Sequence, residues 1–381
     1  MDNWTRRRFF LSALGGGIAA SASKAFGAVL PDNGAAPARQ TSGSSKGKRP
    51  RIISAHNGLK HLDAGMAVLR STGDTMDAVL AVVVPVEDDP HENSVGLGGL
   101  PNEDGVVQLD ACVMHGPTRR CGAVGAIEKI KNPSKVARAV MERTNHTFIV
   151  GRGATRFAID QGFEPMNLLT EESRLAWLAW KAKSSKNWRP GLDALDFKKD
   201  LAEILDTPER QALRPWIERV VANPPTGTIN CLAVNEKGEM SGVTTTSGLA
   251  WKISGRCGDS PIIGAGLFLD QDVGGAGSTG RGEEDIKIAG GHTVVEMMRK
   301  GMSPTDACLK ALHRAVHNYD FDKSRLKMFD LQFYAMNKDG GYGAATLWSS
   351  KDHPSSYAVH DGTEAKSVPF TPLFEGAGGD Y

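Results

Sequence analysis

Apolar residues along this chain recur with two different periods, and the alternation between them predicts the architecture. Arg51–Ala55 carries a short apolar run that predicts a strand. Over 59–69 the apolar residues fall at 59, 62, 66 and 69, a helical spacing ended by Gly73. Asp74 is placed to cap a second helix with Val79, Val82, Val83 and Val86 on one face, and Pro85 predicts its end. Asn132-Pro133 is a helix start, a capping residue and then proline in the first turn, with Val136 to Met141 continuing it. Phe148–Val150 reads as a short strand and 152–183 as helical, where Trp177 and Trp180 are packing residues.

The second half repeats the theme. Ile229–Val234 and 239–245 read as a hairpin around Asn235-Glu236-Lys237-Gly238. A further buried strand is predicted over 262–269, and helices over 283–300 and 303–318, the latter opening Ser303-Pro304. Segments 329–336 and 342–348 pair around Asn337-Lys338-Asp339-Gly340-Gly341. Strand pairs enclosed by helix pairs predict two sheets between helical layers. Between the halves, 183–225 holds Pro190, Pro208, Pro215, Pro224 and Pro225 with mixed charge, and reads as a partly helical, mobile linker.

Composition narrows the function. The chain has 381 residues, 40% hydrophobic and 23% charged, enough for a sizeable core. A formal net charge of +1 gives no case for nucleic-acid binding. No Cys-x-x-Cys or clustered histidine suggests zinc. Of the five cysteines, Cys112 and Cys121 could pair across a hairpin in an oxidising compartment, although spacing alone does not settle connectivity. Residues 1–27 combine Arg6-Arg7-Arg8, then Phe9-Phe10-Leu11 and small apolar residues, the form of an export signal. The paired arginines resemble a twin-arginine signal; a general secretory signal is the alternative. Either implies a periplasmic or secreted protein, with no membrane association after signal removal. The apolar run is too short to span comfortably, and no cysteine lies near the cleavage region. Residues 28–49, rich in Ala, Pro, Gly, Ser and Lys, read as a disordered lead-in.

The chemistry concentrates after Gly227-Thr228. That stretch runs through Thr244-Thr245-Thr246-Ser247-Gly248 and Gly255-Arg256-Cys257-Gly258-Asp259-Ser260-Pro261-Ile262-Ile263-Gly264-Ala265-Gly266 to Gly274-Gly275-Ala276-Gly277-Ser278-Thr279-Gly280. A threonine hydroxyl needs a base beside it to become a nucleophile. Cleavage before Thr228 would free an α-amino group, whose ordinary pKa of about 7.7–8.0 suits that task. Gly227 can take backbone angles closed to other residues, so strain there could help Thr228 attack the preceding carbonyl. Alternatively, Gly-Thr simply enters a strand.

These blocks, with Asn93-Ser94-Val95-Gly96-Leu97-Gly98-Gly99-Leu100-Pro101-Asn102, resemble the glycosylasparaginase family within the asparaginase branch of N-terminal nucleophile hydrolases. The resemblance covers roughly 50–182 and 226–365. It implies an α+β fold, a four-layer αββα sandwich, with 50–227 as an α-subunit (183–226 its linker) and 228–381 as a β-subunit. It implies Thr228 as nucleophile, Thr246 as its orienting partner, and the Thr279 hydroxyl with the Gly280 N–H as oxyanion donors. Arg256 would grip the substrate carboxylate and Asp259 its ammonium, with Ser94 at the pocket. No cofactor is implied; two αβ units packed together are. Each residue also has a plainer reading: Ser94 in a turn-rich loop, Arg256 with Asp259 as a structural pair, Thr246 as a strand hydroxyl whose neighbours Thr244 and Thr245 make register decisive.

Gly275 to Gly280 also matches Gly-x-Gly-x-x-Gly, a dinucleotide pattern, but no second strand ending in an acid follows. The chain departs from the glycosylasparaginase pattern at three places. Thr226-Gly227 stands where His-Asp precedes the nucleophile, closer to the isoaspartyl-peptidase branch. Asn230 replaces a small glycine, and His56 replaces a pocket tryptophan; His56 reads equally as a pocket residue or a satisfied strand-end histidine. The expected activity is hydrolysis of the β-amide of glycosylated asparagine. The alternatives are isoaspartyl-peptide or asparagine hydrolysis, and an uncut relative that binds amino acids without turnover.

Overall fold

A computed structural model describes residues 47, 49–184, 188, 196–225 and 227–378. The segment read as an export signal, nearly all of the expected lead-in, Thr226 and the centre of the linker lie outside the described residues.

Among the described residues, thirteen strands form two sheets. In chain order they are β1 Arg51–Ala55, β2 Gln108–His115, β3 Arg120–Glu128, β4 Phe148–Val150, β5 Ile229–Val234, β6 Met240–Thr246, β7 Leu267–Asp270, β8 Gly274–Gly280, β9 Leu331–Asn337, β10 Tyr342–Ser349, β11 Ser356–His360, β12 Ala365–Pro369 and β13 Thr371–Glu375. The first sheet has the order β12-β11-β1-β5-β6-β2-β3-β4, the second β13-β10-β9-β8-β7. Helices Leu62–Ser71, Thr75–Asp88, Pro133–Arg143 and Gly151–Asp160 cover the outer face of the first sheet; Gly282–Ile288, Gly290–Arg299 and Pro304–His317 cover that of the second. The inner faces pack on each other, giving the expected αββα layering.

The contact between sheets explains the glycine-rich run. Gly275 to Gly280 is not a loop before a helix but the body of β8, hydrogen-bonded to β7 and β9. A phosphate-cradling loop needs free N–H groups, whereas from Gly274 to Gly277 this strand is paired on both sides. Glycine is required because the sheets meet here: a Cβ on Gly277 would lie 1.9 Å from Asn230 Nδ2. Asn230, the departure noted above, thus fills the space opposite a glycine. It is fully buried and donates to Thr244 Oγ1 at 2.8 Å and to the Val243 carbonyl at 3.3 Å.

Several expectations need correction. The helix containing Pro85 runs on to Asp88, because Glu87 in its last turn is held by four donors described below. Residues 59–61 belong to a 3-10 turn, His56–His61, and the α-helix starts at Leu62. The 152–183 segment is two helices, Gly151–Asp160 and Glu171–Ser184. The predicted strand over 262–269 shortens to β7, since Ile262 N and Gly266 N both donate back to the Asp259 carbonyl in a turn. The helix over 283–300 breaks at Ala289, which is left-handed at φ 48°. The second half then starts by donating Gly291 N to Ala265 O and His292 N to Gly264 O. Asn132 does not cap with its side chain; its amide goes to Glu87 and Asp88. Cys112 and Cys121 are free thiols on neighbouring strands, out of register by two residues.

The described part of the linker is not open chain. Helices Phe197–Ile204 and Arg214–Ala222 pack with Glu171–Ser184 into a third apolar cluster, built on Leu175, Leu201, Ile217 and Leu100, and the short helix Pro208–Ala212 is tied on through Arg210 to Glu171. Trp180 stacks on Trp251 at 5.2 Å, tying this cluster to the loop after β6.

Gly277→Ala should destabilise the fold by about 1–3 kcal/mol through overpacking. Pairing it with Asn230→Ala should recover part of that loss. Chemical denaturation of the two single variants and the double variant measures the coupling, and strict additivity would contradict the close approach.

Candidate active site

Strand register decides which threonine faces where. In the β5–β6 hairpin Ile229 opposes Thr245 and Asn230 opposes Thr244, so the next pair outward is Thr228 and Thr246. Side chains alternate along a strand. Thr244 and Thr246 therefore point between the sheets, and Thr245 points into the helical layer. Thr244 donates to the Gly266 carbonyl, whereas Thr245 donates to Glu87.

Thr246 is the junction. Its oxygen accepts from the Thr228 hydroxyl at 3.2 Å and from Gly248 N at 2.9 Å, while its own hydrogen goes to the Gly227 carbonyl at 2.8 Å. One hydroxyl thus touches both the candidate attacker and the carbonyl that would be attacked. Ser94 closes over the same point: a Cβ on Gly227 would lie 1.8 Å from Ser94 Oγ. Close approach to Ser94 is thus a sufficient reason for glycine at 227. The Ser94 loop is stitched to the end of β6 by Ser247 N on the Ser94 carbonyl, and the Ser94 hydroxyl donates to Glu92.

A cleft here is lined by Gly227, Thr228, Thr246, Gly248, Arg256 and Asp259 among others, Gly280 included. A roomier cavity of about 560 Å³, lined by Val106, Lys129 and Met166 among others, shares no residue with it and has no serine, threonine or cysteine in its wall. Arg256 donates through Nε and Nη2 to Glu283 Oε1 at 2.9 and 2.8 Å. Its Nη1 edge is turned toward Gly248 and Gly258. Burial works to raise the Glu283 pKa, but Arg256 and Arg281 bring it below the ordinary value. Asp259 is 5% exposed, and burial raises its carboxyl above the usual range against the pull of Ser278 and Arg256.

Thr279 stands at the end of β8. Its strand faces β5 through Gly275 near Leu232 and Gly277 near Asn230, and the same two-residue step runs toward Thr279 and Thr228, although Gly280 rather than Thr279 is among the residues lining the cleft. Its hydroxyl donates to Gln332 Oε1 at 2.9 Å and lies 2.9 Å from the Tyr334 hydroxyl. Burial keeps Tyr334 protonated, so it can donate into Thr279 when Thr279 turns to another acceptor. His56 is exposed, paired with Ser356 at 3.1 Å, and is not in the cleft wall.

Several supporting residues escaped sequence reasoning. Glu87 has no exposed surface and accepts from Ser134 N, Ser134 Oγ, Asn132 Nδ2 and Thr245 Oγ1. Its own carbonyl accepts from Leu97 N at 2.8 Å, joining the Ser94 loop to the strand that carries Thr246. Burial pushes its pKa to about 7, against those four donors. Lys252, also buried, donates to the Gln108 and Ser247 carbonyls, and burial lowers its pKa. A lone lysine in the apolar run Leu249 to Ile253 was the available signal.

The family model described as asparaginase matches residues 38–323. An N(4)-(beta-N-acetylglucosaminyl)-L-asparaginase of Elizabethkingia miricola is 41% identical over 314 residues, 82% of each chain. Its namesake in Rattus norvegicus is 34% identical over 298 residues, 78% of this chain and 84% of the relative. A protein of Arabidopsis thaliana named "Probable isoaspartyl peptidase/L-asparaginase 3" is 31% identical over 284 residues, 71% of this chain and 79% of its own.

Glu87 yields a pH prediction. Its folded pKa lies above the 4.5 of the free side chain, so the folded state holds more protons between 4.5 and about 7. Stability must fall as pH rises through that window, by roughly 3 kcal/mol from this group. Denaturant unfolding of the protein and of Glu87→Gln from about pH 4 to about pH 8 should show that difference opening with pH. A pH-independent difference would contradict the assignment.

Proposed function

The chain belongs to the asparaginase family, and from that premise we propose that it is an amidohydrolase that first cuts itself between Gly227 and Thr228. Its substrate is then the β-amide of N4-(β-N-acetylglucosaminyl)-L-asparagine. The observation that carries the reading is the Thr246 hydroxyl shared between Thr228 and the Gly227 carbonyl.

In the self-cutting step Thr228 Oγ bonds to the Gly227 carbonyl carbon. The Thr246 oxygen orients the Thr228 hydroxyl as a hydrogen-bond acceptor and its own hydrogen supports the developing oxyanion, while the hydroxyl proton goes to the departing Thr228 nitrogen. The Gly227–Thr228 C–N bond breaks, the nitrogen takes a proton, and an ester links Gly227 to Thr228 Oγ. Water hydrolyses that ester and leaves a free α-amino group and a free hydroxyl on one residue. Gly227 forms part of the cleft wall, so its departure enlarges the space for substrate.

With substrate bound, the α-amino group of Thr228 takes the hydroxyl proton as Oγ attacks the side-chain amide carbon. The Thr279 hydroxyl and the Gly280 N–H receive the oxyanion; one such donor contributes about 2.7–4 kcal/mol. The protonated amine then delivers its proton to the leaving nitrogen, glycosylamine departs, and water releases aspartate from the ester. Arg256 holds the α-carboxylate through the edge it turns toward Gly248, and Asp259 holds the ammonium. Ser94 lies against the acyl side of the cut and walls the pocket.

The reading extends to the whole chain: residues 1–27 direct twin-arginine-type export to the periplasm, 50–227 and 228–381 become two subunits, and two αβ units associate. Its support is the sequence of the N-terminus and the resemblance of the core. A second reading, hydrolysis of β-aspartyl peptides, is favoured by Ser94, which leaves room for nothing larger than glycine before the nucleophile. The plant relative's name points the same way.

Thr228→Ala should remain a single band on a denaturing gel and be inactive; splitting at the same bond would sink the self-cutting assignment. For the processed protein, kcat/KM on aspartylglucosamine should exceed that on β-aspartyl-leucine. The reverse order would transfer the protein to the second reading.

A further inference from the structure

Ser278 lies on the face of β8 opposite Thr279, away from the other sheet. Its hydroxyl is 2.5 Å from Asp259 Oδ2 and 2.7 Å from Asp285 Oδ2. A serine hydroxyl owns one hydrogen. It cannot donate to two carboxylates, and two ionised carboxylates sharing one site repel. A second proton must therefore sit in this trio, and the surroundings decide where.

Asp259 lines the cleft, where Arg256 is the nearby cation. Asp285 is sealed: it has no exposed surface, its Oδ1 makes no well-formed hydrogen bond between the Gly290 backbone and the Phe333 ring, and the pull of the nearby Gly290 N–H is outweighed by burial. An ionised carboxylate with an orphaned oxygen in an apolar pocket is costly, whereas a neutral acid there is not. Burial and the neighbouring Asp259 both drive the Asp285 proton affinity upward. Among the described residues, Arg256, itself engaged by Glu283, and the buried Cys112 thiol also interact electrostatically with Asp259.

We propose that Asp285 is a positioning residue held as a neutral acid, donating its proton to Ser278 Oγ so that Ser278 donates to Asp259. This one-way relay fixes Asp259 as the carboxylate that receives the α-ammonium of the substrate. The inference rests on the reading above in taking Asp259 as the ammonium site, and adds what keeps that site charged. It makes the protein selective for substrates with a free α-amino group through a residue that never touches them. If the charge instead rested on Asp285 and the proton on Asp259, the ammonium would meet a neutral acid.

The test uses full-length protein, each variant first shown on a gel to be cut at 228. Two substrates are compared: a β-aspartyl amide, and the matching succinamide that lacks only the α-amino group. Ser278→Ala and Asp285→Val should each raise KM for the amino-bearing substrate about tenfold, the equivalent of one lost hydrogen bond to a charged group, and leave the succinamide unchanged. Asp285→Asn keeps an N–H donor toward Ser278 and should restore KM to within about twofold of the parent. Difference infrared spectra at neutral pH should show a protonated-carboxyl C=O band in the parent that is missing from Asp285→Asn.

Three results would overturn the proposal. One is Asp285→Asn raising KM as far as Asp285→Val, which would make the charge of Asp285 the important quantity. Another is equal losses on both substrates, which would make the trio merely structural. The third is the absence of any infrared band lost with Asp285. If the processed parent turns over neither substrate, the proposed function fails, but the infrared comparison on the same proteins still decides the relay.

Discussion

The Thr246 hydroxyl occupies a position that only one strand register allows. It can accept a hydrogen bond from the Thr228 hydroxyl and polarise the Gly227 carbonyl because β5 and β6 pair with Thr228 opposite Thr246. A slip of one residue would turn Thr245 inward and send Thr246 into the helical layer. The register is held from both sides. Between the sheets, Asn230 bonds to Thr244 and presses on Gly277; on the far side, Thr245 is anchored by Glu87. The glycines of β8 let the second sheet come close enough to bring Gly280, at its end, into the same cleft. Much of the sandwich can be understood as a means of holding two hydroxyls and one carbonyl in line.

Around that point the protein buries ionisable groups and restrains each by hydrogen bonds. Glu87 has four donors, Lys252 has two carbonyls, and Asp259 has Ser278. None of these makes a net stability gain by being buried, since desolvation opposes the charged forms. What they contribute is placement. Glu87 joins the Ser94 loop to β6, and Lys252 joins β2 to the turn at Ser247. Asp259 is presented by a turn whose N–H groups fold back on its carbonyl. The walls of the cleft are thus tied to three separate strands.

Local pattern carried much of the architecture. The hairpin around 235–238 and the helix opening Ser303-Pro304 are legible because turn chemistry and capping act over a few residues. The long Gly-Arg-x-Gly-Asp-Ser-Pro block marked the cleft for the same reason: its residues are close in sequence. What escaped was decided by distant contacts. The break at Ala289 exists because the next helix needs the Ala265 and Gly264 carbonyls, which no window over 283–300 contains. Pro85 sits inside a helix because Glu87 beyond it is claimed by Ser134 and Thr245. Asp285, third in the run Glu283-Glu284-Asp285, reads as a solvated first-turn acid until β8 places Ser278 against it. The glycine pattern of β8 looked like a phosphate loop because spacing alone cannot tell close sheet packing from close ligand approach.

The central claim is that residue 228 becomes a chain terminus and that its amine and hydroxyl then act together. N-terminal sequencing of the smaller fragment from purified, fully processed protein tests it most directly. The account predicts a sequence opening Thr-Ile-Asn-Cys-Leu. A fragment opening at any other residue, or an intact chain that nonetheless hydrolyses substrate, would contradict it.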